Sequence, residues 1–171
     1  MRTIWITGGS SGIGFATAKK FLFEKWRVVI SSSNNNNLEN AKIKLLKSSI
    51  NRELHTVKCD ISNKEEVERT INFIEKNIAN IDLALLNAAA YSPNKKQEFH
   101  LENYELLLNV NLKGTLYCIN ILKNFMKNKK GHIAIVSSPI GYRGWPTSGA
   151  YGMTKAAQIN LAESLYFDFK K

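Results

Sequence analysis

Short, nearly unbroken apolar runs recur along this chain, at residues 4–7, 27–31, 54–58, 81–86 and 132–136. Runs of that length, rich in Ile, Val and Leu, predict strands buried on both faces. Between them apolar residues return every three or four positions, as helices with one buried face require. Ala16, Ala18 and Leu22 form one such stripe, and Leu38, Ala41, Leu45 and Leu46 form a second within a helix over 36–49. Val67, Ile71, Ile74 and Ile78 form a third, and Asn63 with Glu66 three residues on reads as its N-cap and capping pair. A long helical pattern covers 101–128, and a last one follows the loop 139–149. The Asn tract 34–37 reads as a loop into the second helix, and 88–98, with Pro93, as a longer loop. Strand and helix alternate throughout, which predicts an α/β fold of parallel βαβ units.

Bulk properties narrow the class. The 171 residues suit one domain, 1–171, with a real core. Apolar content of 44% against 22% charged excludes a disordered chain. No apolar run reaches the roughly 18 residues of a membrane span. Arg2 leads directly into the first strand, so no leader is expected. Cys59 and Cys118 read as free thiols of a reducing compartment, the cytoplasm, and no Cys/His spacing suggests a metal. The net charge of +10 raises the question of nucleic acid. The basic residues form no arm or stripe, however, and their densest group, Lys123, Lys127, Lys129 and Lys130, sits at a helix end, where cations suit the helix dipole. No nucleic-acid motif is present, so no such partner is expected.

Two stretches carry chemistry. After the first strand come Gly8, Gly12 and Gly14, and then a helix. Strand, glycine turn and helix form a nucleotide-binding arrangement, in which glycines let the backbone approach a pyrophosphate and the helix N-terminus offers N–H groups to it. A plain glycine-rich turn is the competing reading. The second stretch, 135–155, runs from the fifth strand through Ser138 to Tyr151 and Lys155 on the last helix. Residues four apart share a helix face. A lysine ammonium there favours phenolate and lowers the tyrosine pKa from about 10, making a usable acid or base. Tyr and Lys at this spacing are common on helices, so the pair gains weight only from its context.

Thr7-Gly8 with Gly12-Ile13-Gly14, then Ser138, Tyr151 thirteen residues later and Lys155 four further on, resemble the short-chain dehydrogenase/reductase family. Asn87-Ala88-Ala89-Ala90 after the fourth strand and Asn109-Val110-Asn111 in the long helix fit the same pattern, which then spans essentially the whole chain. The resemblance implies a doubly wound, Rossmann-like parallel sheet of about five strands ordered 3-2-1-4-5. It implies hydride transfer between NAD(P)(H) and an alcohol or carbonyl substrate. Ser138 and Tyr151 would bind the substrate oxygen, Tyr151 would move the proton, Lys155 would lower its pKa and hold the nicotinamide ribose, and Asn111 would complete a proton relay through a water. Asn111 also reads as a plain helix residue. Thr7, Gly8, Ser10, Ser11, Gly12, Ile13, Gly14, Ser32, Ser33, Asn34, Asp60, Ile61, Asn87, Ala88 and Ala89, with Tyr151 and Lys155, would bind the cofactor.

The end of the second strand bears on cofactor type. An acidic residue there would bind the adenosine ribose and disfavour a 2′-phosphate. Ser31, Ser32, Ser33 and Asn34 stand there instead, with no carboxylate before Glu39, which favours NADP(H) over NAD(H). Ser11 stands where NADP-type relatives often carry a basic residue, and no Arg clamps a phosphate. Asp60 reads equally as an adenine contact and as a strand-end turn residue. Ala90, where glycine is usual, predicts altered loop geometry. The chain ends at or just past the Tyr151 helix, where relatives add two strands, so either a truncated frame or reliance on a partner is expected, with the fifth strand left as a sheet edge. Met153, Ala157, Leu161 and Leu165 lie on one side of that helix and Ile159, Ala162, Tyr166 and Phe169 on others, a pattern that needs burial on more than one face. The resemblance implies a homo-oligomer through helices 101–128 and 149–170, which would supply that burial. The alternative is a truncated, catalytically weak or inactive nucleotide-binding protein.

Overall fold

A computed structural model of the protein describes residues 1–50, 53–93, 99–127 and 130–169. Glu98 at the end of the expected loop, Asn128 at the expected helix end, Lys129 of the basic group and the final Lys170 and Lys171 lie outside the described residues. Strands β1 (Thr3–Thr7), β2 (Arg27–Ser32), β3 (Leu54–Lys58), β4 (Leu83–Leu86) and β5 (His132–Ile135) alternate with helices. The helices are α1 (Gly12–Phe23), α2 (Asn35–Ser48), α3 (Lys64–Phe73), α4 (Leu101–Leu107), α5 (Gly114–Met126) and α6 (Gly149–Phe169). The five strands form one parallel sheet ordered β3-β2-β1-β4-β5, the order that the resemblance implies.

Every residue of the central strand β1 is buried, which is why it shows no polar alternation. Its side chains still alternate between faces. Ile4 and Ile6 join Val28, Ile30, Leu22 of α1 and Leu38 and Leu45 of α2. Trp5 joins Val29, Ile71 of α3 and Leu122 of α5 on the other face. Each such side chain contributes about 1.5–3 kcal/mol when fully buried. Trp5 Nε1 donates to Ser31 Oγ at 3.1 Å, so the indole nitrogen is satisfied inside the core.

Several boundaries differ from the expectation. The Asn tract is helix start, not loop: Asn34 Oδ1 accepts from the Asn37 N–H at 2.9 Å and caps α2. Asn63 caps α3 as expected, accepting from the Glu66 N–H at 2.9 Å, but the Glu66 carboxylate reaches the Asp60 N–H and does not close a reciprocal box. Strand β4 begins at Leu83, because the Ile81 N–H is taken by the Glu75 carboxylate. The long helix is not uniform. A π-helical turn, Leu108–Lys113, separates α4 from α5 and carries Asn111. On α6 the buried residues are Ala150, Gly152, Thr154, Lys155 and Gln158, while Tyr166, Phe167 and Phe169 remain exposed. The expected burial on more than one face is thus not supplied within the described residues.

Candidate active site

The strand order reverses between β1 and β4, so the loops after them diverge and open a crevice at the carboxyl ends of the strands. That crevice, of about 460 Å³, is lined by Gly8, Ser10, Ser11, Ser32, Ser33, Asn34, Asp60, Ile61, Asn87, Ala88 and Ala89 from the expected set. Asn37, Cys59, Ala90 and Val110 line it as well. Cys59 adjoins Asp60 in sequence, and Asn37 stands one helical turn past Asn34; those spacings were the signals available for them. Burial pushes the Cys59 thiol up to about 11, so it offers no thiolate at neutral pH. A shallower hollow of about 350 Å³ between β3 and α3, lined by Val57, Lys58, Glu66, Arg69, Thr70 and Phe73, contains none of the predicted residues.

The glycine turn is shaped by close approach. Gly8 adopts φ +64°, and a Cβ on Gly14 would lie 2.5 Å from the Gly8 carbonyl oxygen and 2.6 Å from Asn87 Nδ2. Only hydrogen fits at Gly14, and the left-handed backbone at Gly8 favours glycine. Gly12, at φ +52°, faces open space. Helix α1 starts there with no side-chain cap on its first N–H groups, and its N-cap residue Ser11 lines the crevice. Ile13, 64% exposed, stands at the same edge.

Thr7 and Asn87 tie the turn to β4. Thr7 Oγ1 accepts from the Asn87 and Ala88 N–H groups, each at 3.0 Å, and Asn87 Nδ2 donates to the carbonyls of Thr7 and Gly8 at 3.0 and 3.2 Å. Thr7 and Gly14 therefore support the crevice without lining it. At the end of β2, Ser10 Oγ donates to Ser32 Oγ at 3.2 Å. Asp60 Oδ1 accepts from the N–H and hydroxyl of Ser62 at 2.9 and 2.7 Å, so Asp60 is a turn residue that also borders the crevice.

The second group lies past β5. Ser138 follows the strand, and Tyr151 sits edge-on to Tyr91 with ring centroids 4.9 Å apart. Burial first and Tyr91 second push the Tyr151 pKa up, opposed by a hydrogen bond with Ser138. This reverses the expected direction. The reason is burial, which Lys155 does not offset: its Nζ lies 5.5 Å from the Tyr151 ring centroid and donates to the Val136 carbonyl at 2.8 Å and to Gln158 Oε1 at 2.9 Å. Lys155 is 2% exposed, and burial lowers its pKa to about 8. Asn111 is wholly buried. Its side chain accepts from the Ala90 N–H at 2.7 Å and donates to the Ala90 carbonyl at 3.0 Å and to Thr154 Oγ1 at 3.1 Å. Ala90 is thus held on both backbone groups, and its φ is not in the left-handed region, so its methyl adds no strain. No cluster of metal-binding side chains occurs among the described residues.

A parallel sheet that switches direction beside a glycine turn defines the class of dinucleotide-binding α/β proteins. The short chain dehydrogenase family matches residues 2–171, and the chain belongs to that family. An uncharacterized oxidoreductase of Staphylococcus aureus (strain MW2) is 28% identical over 167 residues, covering 97% of this chain and 71% of the relative. ElxO, solved with NADP bound, is 30% identical with a TM-score of 0.90, covering 98% of this chain and 68% of that one. Levodione reductase shares the fold with a TM-score of 0.92 at 24% identity, covering 98% of this chain and 66% of that one. The chain thus spans about two thirds of the length of these proteins. Among the described residues, no helix is long and apolar enough to cross a membrane.

Proposed function

We propose that this chain is an NAD(P)-dependent oxidoreductase acting on an alcohol or carbonyl substrate, with NADP(H) preferred, and that residues 1–171 form its single nucleotide-binding domain. The observation that carries it is the convergence of Ser138, Tyr151 and Lys155, joined through Tyr91 and the Asn111 bonds to Ala90 and Thr154 with a crevice whose glycine turn excludes any Cβ at Gly14. The crevice fits a dinucleotide: an uncapped helix start borders it, and the end of β2 offers hydroxyls and amides with no carboxylate. Gly8, Ser10, Ser11, Gly12 and Ile13 would hold the pyrophosphate side, Ser32, Ser33, Asn34 and Asp60 the adenosine side, and Ile61, Asn87, Ala88 and Ala89 would border it. The cofactor supplies the hydride. Ser138 and the Tyr151 hydroxyl bind the substrate oxygen, and Tyr151 gives or takes its proton. Lys155 contributes a buried positive charge on the face of α6 that carries Tyr151, and Asn111 holds the Ala90 loop against that face. The relative solved with NADP bound supports the cofactor choice.

The test is turnover of a panel of ketones and aldehydes with NADPH. Tyr151→Phe should lose about 10²–10⁴-fold in rate, the usual contribution of a general acid or base. Turnover kept within tenfold would remove Tyr151 from this role. A second reading, a nucleotide-binding protein with weak chemistry, is favoured by one observation, the upward pKa of Tyr151. Cofactor binding without turnover of any carbonyl would favour it. We further propose a cytoplasmic protein that self-associates through α4 to α6, where Leu101, Leu106, Leu116 and Met153 are exposed.

A further inference from the structure

Gln158 is 1% exposed and sits one turn beyond Lys155 on α6. Its side-chain amide makes three hydrogen bonds. Nε2 donates to the Asn111 carbonyl at 2.7 Å and to Thr115 Oγ1 at 3.0 Å, and Oε1 accepts from Lys155 Nζ at 2.9 Å. The amide orientation is fixed by chemistry. The Thr115 hydroxyl donates its own proton to the Asn111 carbonyl at 2.7 Å, so it presents a lone pair to Gln158. A flipped amide would aim its oxygen at two acceptors and its NH₂ at an ammonium. Every hydrogen-bonding atom of this side chain is therefore used, at a place where an unpaired one would cost about 1–3 kcal/mol.

We propose that Gln158 is a positioning residue for Lys155: its amide ties the ammonium to the π-helical turn at Asn111 and so fixes where that charge stands relative to Tyr151. The assignment of a role beside Tyr151 rests on the oxidoreductase reading; the tether itself rests on the hydrogen bonds. The second anchor is the Val136 carbonyl past β5. Two neutral oxygens thus share the ammonium, and burial alone accounts for its lowered pKa. Around it, the ionisable groups are Tyr151 on α6 and Tyr91 beyond that ring, from the loop after β4; no carboxylate or cation of α4, the π-helical turn, α5 or the β5 end acts on it. Because the partner is an amide and not a carboxylate, Lys155 keeps a charge that can be released near neutral pH.

The tether is tested without substrate or cofactor, and carbonyl turnover is measured separately. Lysine labelled with ¹³C at Cε is introduced, and the Lys155 signal is identified by its absence in Lys155→Met. In the wild-type chain the Gln158 side-chain amide signals should titrate with the same midpoint as Lys155. In Gln158→Glu the midpoint should rise by about one to three pH units, as an opposite charge at this distance requires. In Gln158→Leu it should fall below the wild-type value, because an acceptor dipole is lost. Gln158 signals indifferent to the Lys155 titration would overturn the proposal. So would one common midpoint in all three proteins, the result of a merely structural contact between α5 and α6. Since the wild-type measurement stands alone, a variant that fails to fold leaves the proposal testable. Midpoints that move without turnover of any carbonyl would uphold the tether and overturn the oxidoreductase reading.

Discussion

At the scale of single residues, Lys155 has the clearest energetic signature. Its folded pKa of about 8 lies below the unfolded value of roughly 10.4. Below pH 8 both states hold the proton, and the cost of burying the charge is paid in full. Between about 8 and 10.4 the unfolded chain binds more protons, so this group raises stability as pH rises. Cys59 and Cys118, whose thiols burial pushes upward, work in the opposite sense over the same range. The difference between wild type and Lys155→Met isolates the lysine. Urea unfolding at pH 7, 8, 9 and 10 should show the wild type gaining on the variant, by a fraction of the about 1.4 kcal/mol per pH unit that one group supplies. Parallel curves would mean that Lys155 is not charged and buried at pH 7. The Tyr151–Lys155 pair is legible in the sequence because four residues span one helical turn. Gln158 is not, because two of the groups it joins lie 47 and 43 positions away, and no spacing rule reaches that far.

At the scale of elements, the strands and helix faces follow from the apolar pattern, and what the pattern misses are the devices at helix ends and within helices. The end of α1 is an example. Lys25, at φ +60°, donates its N–H to the Leu22 carbonyl at 3.1 Å, and Trp26 donates to the Phe21 carbonyl at 3.0 Å. The Phe21 and Trp26 rings meet edge-on, 4.9 Å apart, and Arg2 stacks over Trp26 at 4.2 Å. This is the Schellman arrangement with its apolar contact, closed without the glycine that would announce it. A non-glycine residue in the left-handed region costs about 1–2 kcal/mol, part of which glycine returns as lost chain entropy. Lys25→Gly should therefore stabilise the protein by about 0.5–1 kcal/mol, raising Tm by about 1–4 °C for a chain of this size. A lower Tm would show that the lysine stem packs on the helix end. The π-helical turn at Leu108–Lys113 escapes the sequence for a different reason: no residue type marks an extra residue per turn, and the groups bonded to Asn111 there, on Ala90, Thr154 and Gln158, lie far along the chain.

At the scale of the whole molecule, the strand order came from the family resemblance, and it agrees with the few topologies that right-handed βαβ units leave open. The cofactor preference depends on charge at one end of that sheet. The crevice beside β2 carries Ser10, Ser32, Ser33, Asn34 and Asn37, with no carboxylate among the groups that line it there, on a chain of net charge +10. No carboxylate at the end of β2 repels a 2′-phosphate, and several N–H and O–H groups there can donate to it. An unphosphorylated ribose, by contrast, finds no carboxylate at the end of β2 to accept from its hydroxyls, and Asp60, past β3, is engaged by Ser62. A thermal-shift titration should therefore move Tm more with NADPH than with NADH at equal concentration. A ligand at about 100 times its Kd adds roughly 2.7 kcal/mol, a shift of several degrees. Ser32→Asp, which sets a carboxylate at the end of β2, should reverse the order by repelling the phosphate and accepting from the ribose. Equal shifts in the wild type would remove the NADP preference and leave the fold untouched. A cooperative melt with no shift from either nucleotide would go further, because the glycine turn, the uncapped α1 start and the β2 hydroxyls would then be insufficient to hold the cofactor on this chain.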